Sequence, residues 1–216
     1  MFAALLANVI ASAPALAQNT ALLIGNSKYG LCSTTATTRC ATLSDCPSGE
    51  TCQPSNGNPL PGDFFDMVKK HSVFAGADWT VWEKPDKTEA EMKTEIGNLA
   101  GVNGKKLILW FSGHGAASTG NLVGVDGGEV DVTELLTALG TAKDRTLLKL
   151  DSCGSGKLAQ DADLAAGTEP NGLGYITATT GAGTCPAGSG TGSAFTLCFF
   201  AGLRGSDPPA DQAPYP

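Results

Sequence analysis

Two short apolar runs end in small-residue loops, one carrying a histidine and the other a cysteine. Leu107-Ile108-Leu109-Trp110-Phe111 stops at Ser112-Gly113-His114-Gly115, and Leu147-Leu148-Lys149-Leu150 stops at Asp151-Ser152-Cys153-Gly154-Ser155-Gly156. A short continuous apolar run closed by turn residues reads as a strand buried on both faces, as in a parallel sheet covered by helices. If the two strands are neighbours, imidazole and thiol meet at their carboxyl ends, where open α/β sheets place their sites. A cysteine beside a histidine is a prepared sulfur nucleophile, so a cysteine hydrolase is the first expectation.

The rest of the chain alternates in the way such a sheet needs. Thr20-Ala21-Leu22-Leu23-Ile24-Gly25 reads as a buried strand, and from Gly62 the pattern turns helical through Phe64, Phe65, Met67, Val68 and His71. Trp79-Thr80-Val81-Trp82 reads as the next strand. Thr88 with Glu91 forms a capping box opening a helix through Met92, Ile96 and Leu99. The His-bearing strand covers about 106–112, and a loop with Gly120, Gly124, Gly127 and Gly128 follows it. A short helix at Val132–Leu139 has Asp131 as its cap and Glu134 three residues on. The Cys-bearing strand spans about 146–150, Gly174–Thr179 is a further strand, and Ser193–Leu203 is a closing helix. Such alternation predicts an α/β fold with a mainly parallel sheet and helices on both faces. Residues 31–59, rich in Ser, Thr, Pro and Gly, show no periodicity and read as a loop excursion. The tail, 207–216, holds four prolines and reads as disordered.

Length and charge narrow the class. The chain has 216 residues, enough for one sizeable core with an insertion. Its net charge of −7 and the lack of a basic stripe argue against nucleic acid as a partner. Met1–Ala17 contains no charge and ends Ala15-Leu16-Ala17, an A-x-A cleavage pattern, so residues 1–17 read as a signal peptide. The expectation is a secreted or periplasmic protein with no membrane association once the signal is removed.

Seven cysteines support that compartment. Cys32, Cys40, Cys46 and Cys52 follow a C-x7-C-x5-C-x5-C spacing with no histidine near, which suits disulfides rather than zinc. Cys185 and Cys198 make a further candidate pair. Bridges of this kind persist in oxidising compartments. Pairing these six leaves Cys153 over, and it is the cysteine in the catalytic-looking loop.

Attack of sulfur on a carbonyl needs a base and donors for the oxyanion. Cys153 supplies the sulfur, His114 the base, and the amides of Gly115 and Cys153 the donors. His71, the other of the two histidines, sits on an apolar helix face and reads as structural. Gly154-Ser155-Gly156-Lys157 lacks the upstream glycine and the final Ser or Thr of a phosphate loop. Ser118 stands where a dinucleotide fingerprint needs Gly or Ala.

Ser112-Gly113-His114-Gly115 together with Asp151-Ser152-Cys153-Gly154-Ser155-Gly156 resembles the metacaspase and bacterial caspase-like family of cysteine peptidases. Ala21–Asn26, Leu60-Pro61-Gly62 with Asp66-Met67, and Ser193–Thr196 through Gly202-Leu203 resemble its first strand, first helix and closing segment. The resemblance implies a three-layer sandwich over about residues 18–206, which the disulfide-rich insert at 31–59 interrupts. It implies a His114–Cys153 dyad, with Asp151 and Asp66 as acids of a pocket for the P1 side chain. Two such carboxylates select arginine or lysine in a peptide or protein substrate. No cofactor is required for the chemistry. Calcium is a candidate activator, with Asp126, Glu129, Asp131 and Asp161 available, although none lies in a recognisable calcium loop. The chain departs from the family at Gly154, where histidine is usual, at Asp63, where many relatives carry cysteine, and in the insert itself. The alternative expectation is a catalytically inactive caspase-like domain that binds another protein through the insert.

Overall fold

The computed structural model describes residues 19–60, 71, 74, 78–103, 106–166, 173–179, 193, 195, 196 and 199. Its strands are β1 (Asn19–Gly25), β2 (Gly30–Cys32), β3 (Arg39–Cys40), β4 (Cys52–Pro54), β5 (Trp79–Pro85), β6 (Leu107–Ser112), β7 (Leu122–Val123), β8 (Glu129–Val130), β9 (Thr146–Asp151) and β10 (Gly174–Thr177). Its helices are α1 (Glu89–Ala100), α2 (Val132–Leu139) and α3 (Ser155–Ala166). Five strands pair in the order β10-β9-β6-β1-β5, every pairing parallel.

The apolar runs are continuous because both faces of this sheet are covered. Leu22, Ile24, Leu107, Leu109, Phe111, Leu148 and Leu150 pack on one face against Met92, Ile96 and Leu99 of α1, Leu135 and Leu139 of α2, and Leu158 of α3. Ala21, Leu23, Ile108 and Trp110 point the other way, towards Phe74 and Phe199, both in helical segments. The result is a three-layer α/β sandwich. Lys149 interrupts the apolar run of β9, yet it is 2% exposed. Its ammonium lies 3.8 Å from the Trp110 ring centroid and 2.7 Å from that of Phe199, a cation–π seat that lets a lysine occupy a core position.

Both expected caps form. Thr88 accepts from the Glu91 amide at the start of α1, Asp131 does the same for Glu134 at α2, and each acid returns a bond to the cap. His71 Nδ1 is hydrogen-bonded to a carboxylate oxygen of Glu83 on β5.

Three elements differ from the sequence expectation. The insert is not a plain loop: β2, β3 and β4 form a small antiparallel sheet in the order β3-β2-β4, with a 3-10 turn at Leu43–Asp45. Strands of two or three residues are too short to show a period of two, and this sheet is stapled by Cys32–Cys46 and Cys40–Cys52. The glycine-rich loop after β6 contains the β7–β8 hairpin. Ser155–Ala166, beginning two residues after Cys153, forms α3, a helix outside the sequence expectation. Of the expected elements, Gly62–His71 and Ser193–Leu203 fall largely outside the described residues, as do Cys185 and Cys198.

Leu109 is fully buried at the centre of the sheet, between β1 and β9, so Leu109→Ala should destabilise by about 2–5 kcal/mol in chemical denaturation. Leu43→Ala, on a side chain 64% exposed in the insert, should stay within about 0.5 kcal/mol. Equal effects would contradict the core assignment.

Candidate active site

The chain leaves β1 towards β5 on one side of the sheet and leaves β6 towards β9 on the other. The switch point between β1 and β6 therefore opens a crevice at their carboxyl ends. In the parallel register of β6 and β9, Ser112 lies opposite Asp151. His114 and Cys153 each follow two residues later, and the two loops are joined at their base by the Gly113 amide donating to Asp151 O at 3.2 Å.

Above that point the loops touch backbone to backbone. A Cβ on Gly115 would lie 2.1 Å from the Cys153 carbonyl oxygen, and one on Gly154 would lie 2.5 Å from Ala116 O. Gly154 also has φ +66, so a side chain there would be strained as well as obstructed. This accounts for glycine at a position where histidine is usual in the resembling family: the loops close on each other through that residue. Cys153 belongs to neither bridge of the insert. It lies two residues before Ser155, the first residue of α3, at the end of a 12-residue helix where negative charge is favoured.

His114 is held on several sides. Its amide donates to the Tyr29 hydroxyl at 2.9 Å, and Tyr29 donates in turn to Val123 O at 3.0 Å. The two rings lie 4.4 Å apart, centroid to centroid. Its Nε2 is 2.7 Å from the carbonyl oxygen of Asn58, at the end of the insert. A carbonyl can only accept, so Nε2 carries the hydrogen, and in the neutral ring the lone pair is on Nδ1. An imidazole in that tautomer can take a proton from a thiol.

Gly115 forms an isolated antiparallel bridge with Leu122. The flanking bonds run from Ala116 N to Asn121 O and from Val123 N to His114 O. Gly115 is therefore at the non-hydrogen-bonded position, with its own N–H turned away from Leu122.

Asp151 ends β9 and is 6% exposed. Its Oδ2 accepts from the hydroxyls of Thr196 at 2.6 Å, Ser193 and, more loosely, Ser112 at 3.5 Å. Among the described residues no lysine or arginine forms an ion pair with it. Asp66, its expected partner, lies outside the described residues, as does Asp63.

The four acids considered for calcium are engaged separately. Asp126 accepts from the Glu89 amide, Glu129 from Asn121, and Asp131 caps α2, while Asp161 pairs with Lys157. They form no common ligand set. Among the described residues the one group of three close ligating side chains is Cys32, Cys40 and Cys46, all in disulfides.

Tyr29, Gly57, Asn58, Ser193 and Thr196 are additions to the site. Tyr29 could have been suspected from its place four residues beyond β1, at the same end of the sheet. Nothing in the composition of the insert marks Asn58, which acts through its backbone.

The caspase-domain family model matches residues 18–212. No curated protein matches the chain.

Burial pushes the His114 imidazolium below its usual range, and the Asn58 carbonyl works against that shift as the smaller effect. The ring should thus be neutral at pH 7 and charge only as pH falls below about 6.5. An NMR titration of the His114 ring protons should place its midpoint under that value; a midpoint above it would contradict the burial of this ring.

Proposed function

The chain belongs to the caspase-domain family of cysteine peptidases, and from that premise we propose that it is an exported endopeptidase that cleaves after arginine or lysine. Cys153 is the nucleophile and His114 the base. The single observation that carries this reading is the Ser112–Asp151 register, which sets the histidine and cysteine loops in contact at the carboxyl end of the sheet.

The reaction needs only protein groups. His114 Nδ1 takes the thiol proton as Cys153 Sγ bonds to the scissile carbonyl carbon. The carbonyl oxygen becomes an oxyanion, to which the amides of Gly115 and Cys153 donate. In support, the Gly115 N–H is not used by the bridge to Leu122. The C–N bond then breaks, the departing amine takes the proton from His114, and a thioester remains on Cys153. Water, deprotonated by His114, attacks that thioester; the C–S bond breaks, the acid leaves, and the sulfur takes the proton back from His114 as the thiol.

Basic specificity is supported by Asp151, a buried carboxylate held by three hydroxyls and by no cation among the described residues. The hydroxyls orient the carboxylate, and a guanidinium or ammonium at P1 would be a charged donor to it, with Asp66 as the second acid. Export is supported by the two disulfides of the insert. Among the described residues no helix is long and apolar enough to cross a membrane.

A second reading, an inactive domain that docks a partner through its insert, draws on one observation: the insert lies against the His114 ring at Gly57 and Asn58. Turnover decides between the two. Protein lacking residues 1–17 should release a fluorophore from peptides ending in Arg or Lys and far less from those ending in Asp, and Cys153→Ala should reduce release to background. Equal inertness of wild type and variant, with and without calcium, would favour the docking domain. Asp151→Asn should lower kcat/KM for Arg substrates roughly 10- to 100-fold. Unchanged kinetics would exclude Asp151 from the P1 pocket.

A further inference from the structure

The insert is tied to the body next to the histidine. Asn56 donates its amide to Tyr29 O at 3.1 Å and its side chain to Val125 O at 3.2 Å, and the Arg39 guanidinium also donates to Val125 O. Two residues beyond Asn56, Asn58 presents its carbonyl to His114 Nε2. Gly57, between them, has φ +131, and a Cβ there would lie 2.7 Å from both Cδ2 and Nε2 of the imidazole. The backbone can come this close to the ring only without a side chain.

The insert's own sheet is too small to hold that position. Its strands are two or three residues long, and a sheet of this size is marginal without a covalent staple. Cys52 opens β4, six residues before Asn58. A Cβ on Gly30 would lie 2.8 Å from Cys52 Sγ and 3.0 Å from Cys40 Sγ, so the Cys40–Cys52 bridge packs directly on Gly30. Gly30 follows Tyr29, whose hydroxyl accepts from the His114 amide. The staple therefore reaches the histidine by two routes, through Tyr29 and through Asn58.

We infer that Gly57 and the Cys32–Cys46 and Cys40–Cys52 bridges are positioning elements of the dyad, holding the Asn58 carbonyl on His114, and that opening these bridges with a dithiol turns the peptidase off. The inference rests on the peptidase reading above. Each bridge joins a buried cysteine, Cys32 or Cys40, to a half-buried one, Cys46 or Cys52. A dithiol's thiolate attacks the outer sulfur, the inner cysteine leaves as thiolate, and the second thiol closes on the mixed disulfide. Per bridge, two electrons and two protons pass to the protein, giving two cysteine thiols and one cyclic disulfide. Without the staple His114 loses the acceptor that fixes hydrogen on Nε2. The sign is opposite to that of an ordinary thiol peptidase, for which a dithiol only preserves the nucleophile.

The test uses protein lacking residues 1–17, with the nitrogen-15 shifts of the His114 ring as a readout independent of turnover. Oxidised wild type should show the Nε2–H tautomer. Excess dithiothreitol should make Cys32, Cys40, Cys46 and Cys52 alkylatable, each assigned by peptide mass, mix the tautomers, and lower kcat about 100-fold with KM little changed, all reversed on reoxidation. Gly57→Ala keeps both bridges and should disturb the same ring signals and kcat, which covers the case in which reduction unfolds the domain. Alkylation at all four insert cysteines with ring signals and kcat unchanged, or a Gly57→Ala variant identical to wild type, would overturn the inference. Wild type inert towards every peptide, with ring signals that still answer to reduction, would support the positioning and overturn the proposed activity.

Discussion

The parallel pairing of β6 with β9 sets where the histidine and cysteine loops begin. Ser112 opposite Asp151 fixes where both strands end, and from there two residues of backbone lead to His114 on one side and Cys153 on the other. A slip of one residue would turn Trp110 and Leu109 to the wrong faces, away from two separately packed cores, so the register is held by burial on both sides of the sheet. Close packing of glycine backbones then brings the loops together, with Gly115 against Cys153 O and Gly154 against Ala116 O. The core sets the register, and the register sets the chemistry.

Around this frame the chain has placed a module of different construction. The sheet is stabilised by apolar burial, whereas the insert has a core of little more than two cystines and relies on covalent links. It occupies the carboxyl end of β1, beside the switch point, and its last residues lie on the imidazole. A module at that place has access to the tautomer of His114 without contributing a side chain to the site. Asp151 is prepared differently: the hydroxyls of Ser193 and Thr196 orient it from a segment far along the chain.

The parts of this arrangement legible in the sequence share a physical reason. Continuous apolar runs reveal strands buried on both faces, capping boxes at Thr88 and Asp131 mark helix starts, and glycines beside His114 and Cys153 mark strand ends. The strand at Lys149 was legible only because its neighbours outweighed one charge; its aromatic seat is a tertiary fact. The hairpin at Leu122 and the strands of the insert are too short to impose a period. Asn58 acts through a carbonyl that every residue possesses, so no residue identity could announce it. The pairing of Cys32 with Cys46 and of Cys40 with Cys52 follows from the course of a three-dimensional chain that spacing alone does not encode.

Covalent capture asks whether Cys153 is a nucleophile facing a pocket for a basic side chain. Protein lacking residues 1–17 would be incubated with a peptidyl-arginine acyloxymethyl ketone, which forms a thioether with loss of its carboxylate, and the adduct mapped by peptide mass spectrometry. One adduct is expected, on Cys153, formed with the arginine probe, scarcely with the matching aspartate probe, and lost in His114→Ala. No adduct would rule out Cys153 as the nucleophile, and equal labelling by both probes would rule out the basic pocket.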